Sequence, residues 1–262
     1  MIVSDTHKMV FVHVPKCAGT TVIRHLSAYD CFPRDFKAHF CHPKLGLVNF
    51  YHLPLDILRA HFPVQFVKLR TYESYAIVRE PRRRFSSALF HYLLEFRNHG
   101  QMTRDALPWL RQEAEAVCEV LNMPGGPERY EYTFFQKQVR FIRLDGERLV
   151  ENLFSFENLP HFATALKERH GITLDLGEYH NRRYLKHHGM LDAAIRAARP
   201  VYGRVLPTTW RYGLGALFHD LMRDSPEPVH RQLFADGALC RFVDAHYSED
   251  REIYQSLGGG QA

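Results

Sequence analysis

An α/β fold, with a three-layer parallel sheet flanked by helices, is predicted from three features of the sequence. Short β-branched or aromatic runs alternate with segments of helical period in the first half of the chain. Two of those runs end in tight polar turns that lead straight into helices. From residue 190 onward the pattern is mostly helical. Strands alternating with helices pair in parallel, because each helix carries the chain back over one face of the sheet. Ligands of such sheets gather at the carboxyl ends of the strands.

The elements follow in order. Met9–Val14 is short, β-branched and aromatic, the mark of a buried strand, and Pro15 stops it. Thr20–Tyr29 carries Val22, Ile23 and Leu26 at helical spacing. Leu47–His52 reads as a second strand and Pro54–His61 as a short helix. Ser74–Arg79 is a third buried strand, and Pro81 sits where the first turn of the next helix belongs. In that helix Phe85, Leu89, Leu93 and Phe96 form one apolar stripe. Thr103–Leu121 and Arg129–Ile142 read as helices, with a loop at Met123–Pro127 between them. Leu149–Phe156 is a fourth strand, and Pro160–Arg169 a helix after it.

Composition sets the bounds. The 262 residues are 45% hydrophobic and 24% charged, as in an ordinary globular protein with a core of its own. One domain is expected over 1–262: an α/β core over about 1–180, a mostly helical lid over about 185–256 and a flexible tail at 257–262. No apolar run is long enough for a membrane span, and Met9–Val14 is too short for a signal-peptide core. The net charge of +5 suits an anionic small ligand and is too weak and too dispersed to argue for nucleic acid. Cys17, Cys31, Cys41, Cys118 and Cys240 are odd in number and scattered, with no C-x-x-C, which reads as free thiols in a reducing compartment, the cytoplasm.

The first chemical motif is the turn Val14-Pro15-Lys16-Cys17-Ala18-Gly19-Thr20-Thr21 between a strand and a helix. A glycine lets the backbone turn tightly, and the helix start presents unbonded N–H groups to an anion. Thr20 and Thr21 add hydroxyls and Lys16 a point charge. The lysine precedes the glycine, so the Walker A order is absent and a generic nucleoside triphosphatase is disfavoured. The plainer alternative is a βα turn with a threonine cap and a solvated lysine.

The second motif is Arg79-Glu80-Pro81-Arg82-Arg83-Arg84-Phe85-Ser86-Ser87. Arg79 lies at the carboxyl end of a buried strand, and Ser87 two to three helical turns on. A guanidinium and a hydroxyl so placed grip one phosphate together. Arg83 is four residues before Ser87 and shares its face. The alternative, a solvated arginine-rich helix start, suits Arg82 but not Arg79, because a strand-end arginine in an apolar run needs an anion.

V-P-K-C-A-G-T-T after a strand, followed by V-R-E-P-R-R-R-F-S-S-A, resembles the two cofactor motifs of the sulfotransferases that use 3′-phosphoadenosine 5′-phosphosulfate (PAPS), above all the carbohydrate-type branch. Weaker echoes are Gln138, Phe156-Glu157-Asn158-Leu159, Asn181 and Tyr247-x-x-Asp250-x-x-x-Tyr254. The resemblance covers most of the chain, thinly between about 185 and 240. It departs from the Golgi members in lacking an N-terminal anchor and a disulfide context, which implies a soluble bacterial-type enzyme. It also implies a P-loop-like sulfotransferase fold.

By this resemblance Lys16, Cys17, Ala18, Gly19, Thr20 and Thr21 hold the 5′-phosphosulfate, with Lys16 at the bridging oxygen, and Arg79 and Ser87 hold the 3′-phosphate. No metal is implied. The acceptor hydroxyl needs a base, and histidine suits neutral pH. Among His39, His42, His52 and His61, the choice is His52, at the end of a strand-like run and before Pro54, with His42 next. The rate is then expected to rise through an apparent pKa near the usual histidine range. The acceptor is expected to be a carbohydrate hydroxyl, by resemblance only, with Trp109, Tyr130, Tyr132 and Trp210 as candidate stacking residues.

Rival readings are a nucleotide-dependent phosphoryl transferase, a nucleic-acid-binding module built on Arg82–Arg84, a zinc site from His39, Cys41, His42 and His52, and a non-catalytic PAPS-binding relative. The first lacks its metal carboxylate motif, the second a base-reading motif and the third a standard ligand spacing.

Overall fold

In the computed structural model, residues 1–31, 39–97, 107–175, 185–186, 223–224, 227–235 and 237–258 are described. The central sheet has four strands: β1 (Ile2–Ser4), β2 (Met9–Val12), β5 (Glu73–Val78) and β8 (Asn152–Ser155), side by side in that order. β2, β5 and β8 are parallel, with Phe11 opposite Tyr75 and Tyr75 opposite Asn152. β1 runs antiparallel to β2, so the sheet is mixed rather than wholly parallel. The reason is local: the turn at Asp5–Lys8 is too short for a crossover helix, and a strand joined by so short a turn can only return antiparallel. The outer side of β1 is occupied, since Cys31 N–H donates to Val3 O at 2.8 Å and Val3 N–H to Asp30 Oδ1 at 3.0 Å.

Both faces of the sheet are covered. Phe11 and Tyr75 turn one face toward Phe162 of α6 (Leu159–His170), while the alternate residues Val10, Val12, Ala76 and Val78 are equally buried. A parallel strand buried on both sides reads as a continuous apolar run, which is why Met9–Val12 and Tyr75–Val78 were legible. α1 (Gly19–Leu26) follows β2, and α2 (Leu55–His61) and α3 (Pro63–Thr71) precede β5. Pro63 opens α3, a helix absent from the sequence reading because its apolar residues form no single face.

Leu47–His52 is not a strand of the central sheet. Gly46–Asn49 (β4) pairs with His39–His42 (β3) in a separate antiparallel hairpin, and Phe50–His52 is a single 3₁₀ turn opened by the Asn49 side chain, which accepts from Tyr51 N–H. Arg129–Ile142 is likewise not one helix. It forms 3₁₀ turns at Tyr130–Phe135 and Gln138–Phe141, then a small hairpin, β6 (Arg143–Leu144) with β7 (Glu147–Arg148).

A second apolar cluster lies along α4 (Pro81–Phe96), α5 (Leu107–Asn122) and the Tyr130–Phe135 turn. It continues into α7 (Glu227–Leu233) and α8 (Gly237–His246), which α9 (Ser248–Ser256) follows. The described part of the carboxyl-terminal region is thus largely helical, with one short strand pair, β9 (Leu185–Lys186) and β10 (Arg223–Asp224). Asn181 and Trp210, and most of the expected lid, lie outside the described residues. No helix among the described residues is long and apolar enough to cross a membrane. All five cysteines are free.

Candidate active site

The turn after β2 is built on unusual backbone. Lys16 (φ 66°) and Ala18 (φ 60°) are both left-handed, flanking Cys17. Each such non-glycine residue costs on the order of 1 kcal/mol, and turns of this kind point successive N–H groups into one concavity that receives anions. Ala18 is also the N-cap of α1, where its carbonyl accepts from Thr21 and Val22, so Gly19 and Thr20 keep N–H groups with no partner inside the helix. Gly19 is required for space rather than for φ. A Cβ there would fall 1.6 Å from Nε2 of His13, whose ring lies against it. Cys17 faces inward, and burial pushes its thiol up to about 12, so its part in the loop is packing and hydrogen bonding rather than nucleophilic chemistry.

Arg79 leaves the end of β5 and returns to this loop. Its Nη1–H donates to Lys16 O at 3.4 Å, and its guanidinium lies 4.4 Å over the Phe156 ring. Among the described residues no carboxylate lies within ion-pair distance of it, and its buried Nε has no acceptor. Burial lowers its pKa, the mark of a cation held away from water. Its neighbours are used otherwise. Arg82 pairs with Asp244 through Nε at 2.8 Å and through Nη2, and Arg83 is exposed. Arg84 is fully buried beside Asp250. Glu80 caps α4 by accepting from Arg82 N–H at 3.0 Å and Arg83 N–H at 2.7 Å, so that helix start already holds a carboxylate. The Ser86 hydroxyl is bonded to Arg83 O and His230, whereas the hydroxyl of half-buried Ser87 has no hydrogen-bond partner among the described residues.

His52 is 8% exposed. Its Nδ1 lies 3.1 Å from His13 O, and since a carbonyl only accepts, the proton sits on Nδ1 and the Nε2 lone pair is available. Its ring is 4.1 Å from that of His13 and 5.4 Å from that of Phe134. Burial pushes its pKa down to about 3, which favours the neutral imidazole in the folded protein. His13 is also pushed well below its ordinary value by burial and by its neighbour His52. His42 lies elsewhere, its Nδ1 accepting from Lys44 and Leu45 N–H at the hairpin turn and its ring packed on His61 and Phe62.

Three residues absent from the sequence reading complete the site. Phe134 is the shared surface: Lys16 Nζ lies 5.7 Å over its ring, and His52 and His91 meet it edge-on. His91 is four residues beyond Ser87 on α4, a spacing that was legible. His13 carried no signal, since a histidine in a buried strand reads as core. Of the candidate stacking residues, Tyr132 is buried in the second cluster, and Trp109 packs against that cluster.

Residues 1–225 match the family model of the sulfotransferase family. No curated protein and no solved structure matches the chain. The two turns on which the family resemblance rests meet in space through the Arg79–Lys16 hydrogen bond, and both lie inside the matched span. With the greater part of its length so matched, the chain belongs to the sulfotransferase family.

Proposed function

We propose that the protein moves the sulfuryl group of PAPS to an acceptor hydroxyl, with a carbohydrate as the first acceptor class. The observation that carries this reading is Arg79: a largely buried guanidinium that pairs with no carboxylate among the described residues and donates to the carbonyl of Lys16. The two strand ends thereby form one anion-binding surface, and the residues fit a nucleotide with two separated anionic groups. The family makes PAPS-type donors the matching class. When bound, such a donor supplies an activated sulfuryl group.

The chain's own residues do the rest. The N–H groups of the Lys16–Thr21 turn, with the Thr20 and Thr21 hydroxyls, hold the 5′ end. Arg79 and Ser87 hold the 3′-phosphate. The Lys16 ammonium places positive charge where the leaving oxygen gains negative charge, a form of stabilisation strongest in the transition state. His52 takes the acceptor proton at Nε2, while His13 O holds its Nδ1–H and so its ring orientation. An anion on the neighbouring turn raises the basicity of this desolvated imidazole toward the useful range. Phe134 excludes water from the space it shares with Lys16 and His52.

The test is a panel of oligosaccharide, phenol and lipid alcohols incubated with PAPS and read by the mass shift of one sulfuryl group. Transfer to at least one class is expected, with Lys16→Ala losing turnover by a larger factor than affinity for adenosine 3′,5′-bisphosphate. No transfer together with no binding of that nucleotide overturns the proposal.

A further inference from the structure

Gln138 is completely buried, and every polar atom of its side chain is in use. Its Oε1 accepts from Arg79 N–H at 2.9 Å and from the Cys17 thiol at 3.3 Å, and its Nε2–H donates to Arg79 O at 2.9 Å. The amide thus pairs with both main-chain groups of Arg79 as another strand would, one residue past the end of β5, and reaches the phosphate turn with the same oxygen. Its own main chain is held in turn. Asp250 accepts from Gln138 N–H at 2.8 Å and Val139 N–H at 2.9 Å, and lies 3.6 Å from the buried Arg84 guanidinium. The 3₁₀ turn carrying Gln138 is therefore anchored from α9 through Asp250, which also pairs with Arg84 of α4.

We infer that Gln138 is a positioning residue that sets the spacing between the Cys17 turn and Arg79, and thereby gives the site its preference for nucleotides bearing both a 5′ and a 3′ anionic group. This rests on the PAPS reading above. The physical argument is geometric. Each turn alone binds one anionic group. A ligand with two gains from both only if they are held at the right separation before it arrives. Among the described residues no carboxylate holds the head of Arg79, and the Gln138 amide is what holds its main chain beyond the last pair of the ladder.

The experiment is calorimetric titration of the whole chain with adenosine 3′,5′-bisphosphate and with AMP, for wild type, Gln138→Met, Gln138→Glu, Arg79→Ala and the Gln138→Met/Arg79→Ala double variant. Wild type is expected to prefer the bisphosphate by ~10–100-fold, the usual value of one charge-assisted contact. Gln138→Met should bring the ratio close to one, chiefly by weakening the bisphosphate. Gln138→Glu keeps the acceptor, loses the donor to Arg79 O and should fall between, and it serves if the methionine variant does not fold. In the double variant the ratio should match that of Arg79→Ala, because Gln138 acts through Arg79. A structural role alone would lower the melting temperature and weaken both nucleotides equally. If both Gln138 variants keep the wild-type ratio, the inference is wrong and the PAPS reading stands. If wild type itself shows no preference, the PAPS reading fails and the inference falls with it.

Discussion

Acid should unfold this protein partly through its site. His52 is neutral in the folded state, with its pKa pushed down to about 3, whereas an unfolded histidine titrates at about 6.5. Between those values the unfolded chain binds more protons, so stability is full above about pH 6.5 and is lost as the pH falls toward 3. At pH 5 the loss from His52 alone is about 2 kcal/mol, and below pH 3 it approaches about 5 kcal/mol. His13, its ring 4.1 Å away and also held neutral, adds to the loss in the same direction. Urea unfolding of wild type and His52→Gln at pH 7.5 and pH 5 isolates the His52 part, because carboxylates and other histidines are common to both. The variant should lose about 2 kcal/mol less than wild type over that interval. An equal loss in the two proteins would refute the claim that His52 is buried in its neutral form.

Three further outcomes are expected. Gly19→Ala should destabilise by about 1–3 kcal/mol through overpacking on the His13 ring, and His13→Ala in the same chain should restore much of the melting temperature. Arg79→Ala should lose about tenfold or more in affinity for adenosine 3′,5′-bisphosphate by calorimetry, while Arg82→Ala, which breaks a half-exposed pair with Asp244, should leave that affinity unchanged and cost at most about 1 kcal/mol of stability. Asp250→Ala should cost about 3–5 kcal/mol in urea unfolding, because it strands the buried Arg84 charge and two main-chain N–H groups.

What the sequence made legible were the features written in adjacent residues. The buried parallel strands appear as unbroken apolar runs, so β2 and β5 were legible, and the turns at Lys16–Thr21 and Arg79 stand out as short motifs directly after them. Features set by distant partners were not. β1 is too short for a periodic signal and is defined by pairing with β2. The 130–142 segment has helical composition, but its main chain is captured by Asp250 and Tyr247, more than a hundred residues away, and so forms separate 3₁₀ turns. His52 was selected as the end of a sheet strand. It is tied instead to the end of β2 by a 3₁₀ turn whose imidazole bonds the His13 carbonyl, so the strand-end argument for choosing it does not hold. Phe134 and His13 have no motif at all; only the assembled rings reveal them.

The pairing of Met9 with Glu73 joins residues 64 positions apart, while the β1–β2 hairpin closes across a four-residue turn. Closing long loops is the slow part of folding, since chain entropy must be lost before any contact offsets it. The Lys16 turn can take its shape early, on local bonds, yet it meets Arg79 only after that long closure, and meets Gln138 later still in chain order. The proposed site is therefore expected to be among the last parts of this chain to form. If a donor nucleotide binds there as proposed, its presence during refolding is expected to act on the final step alone, trapping finished molecules without hastening the search that produces them.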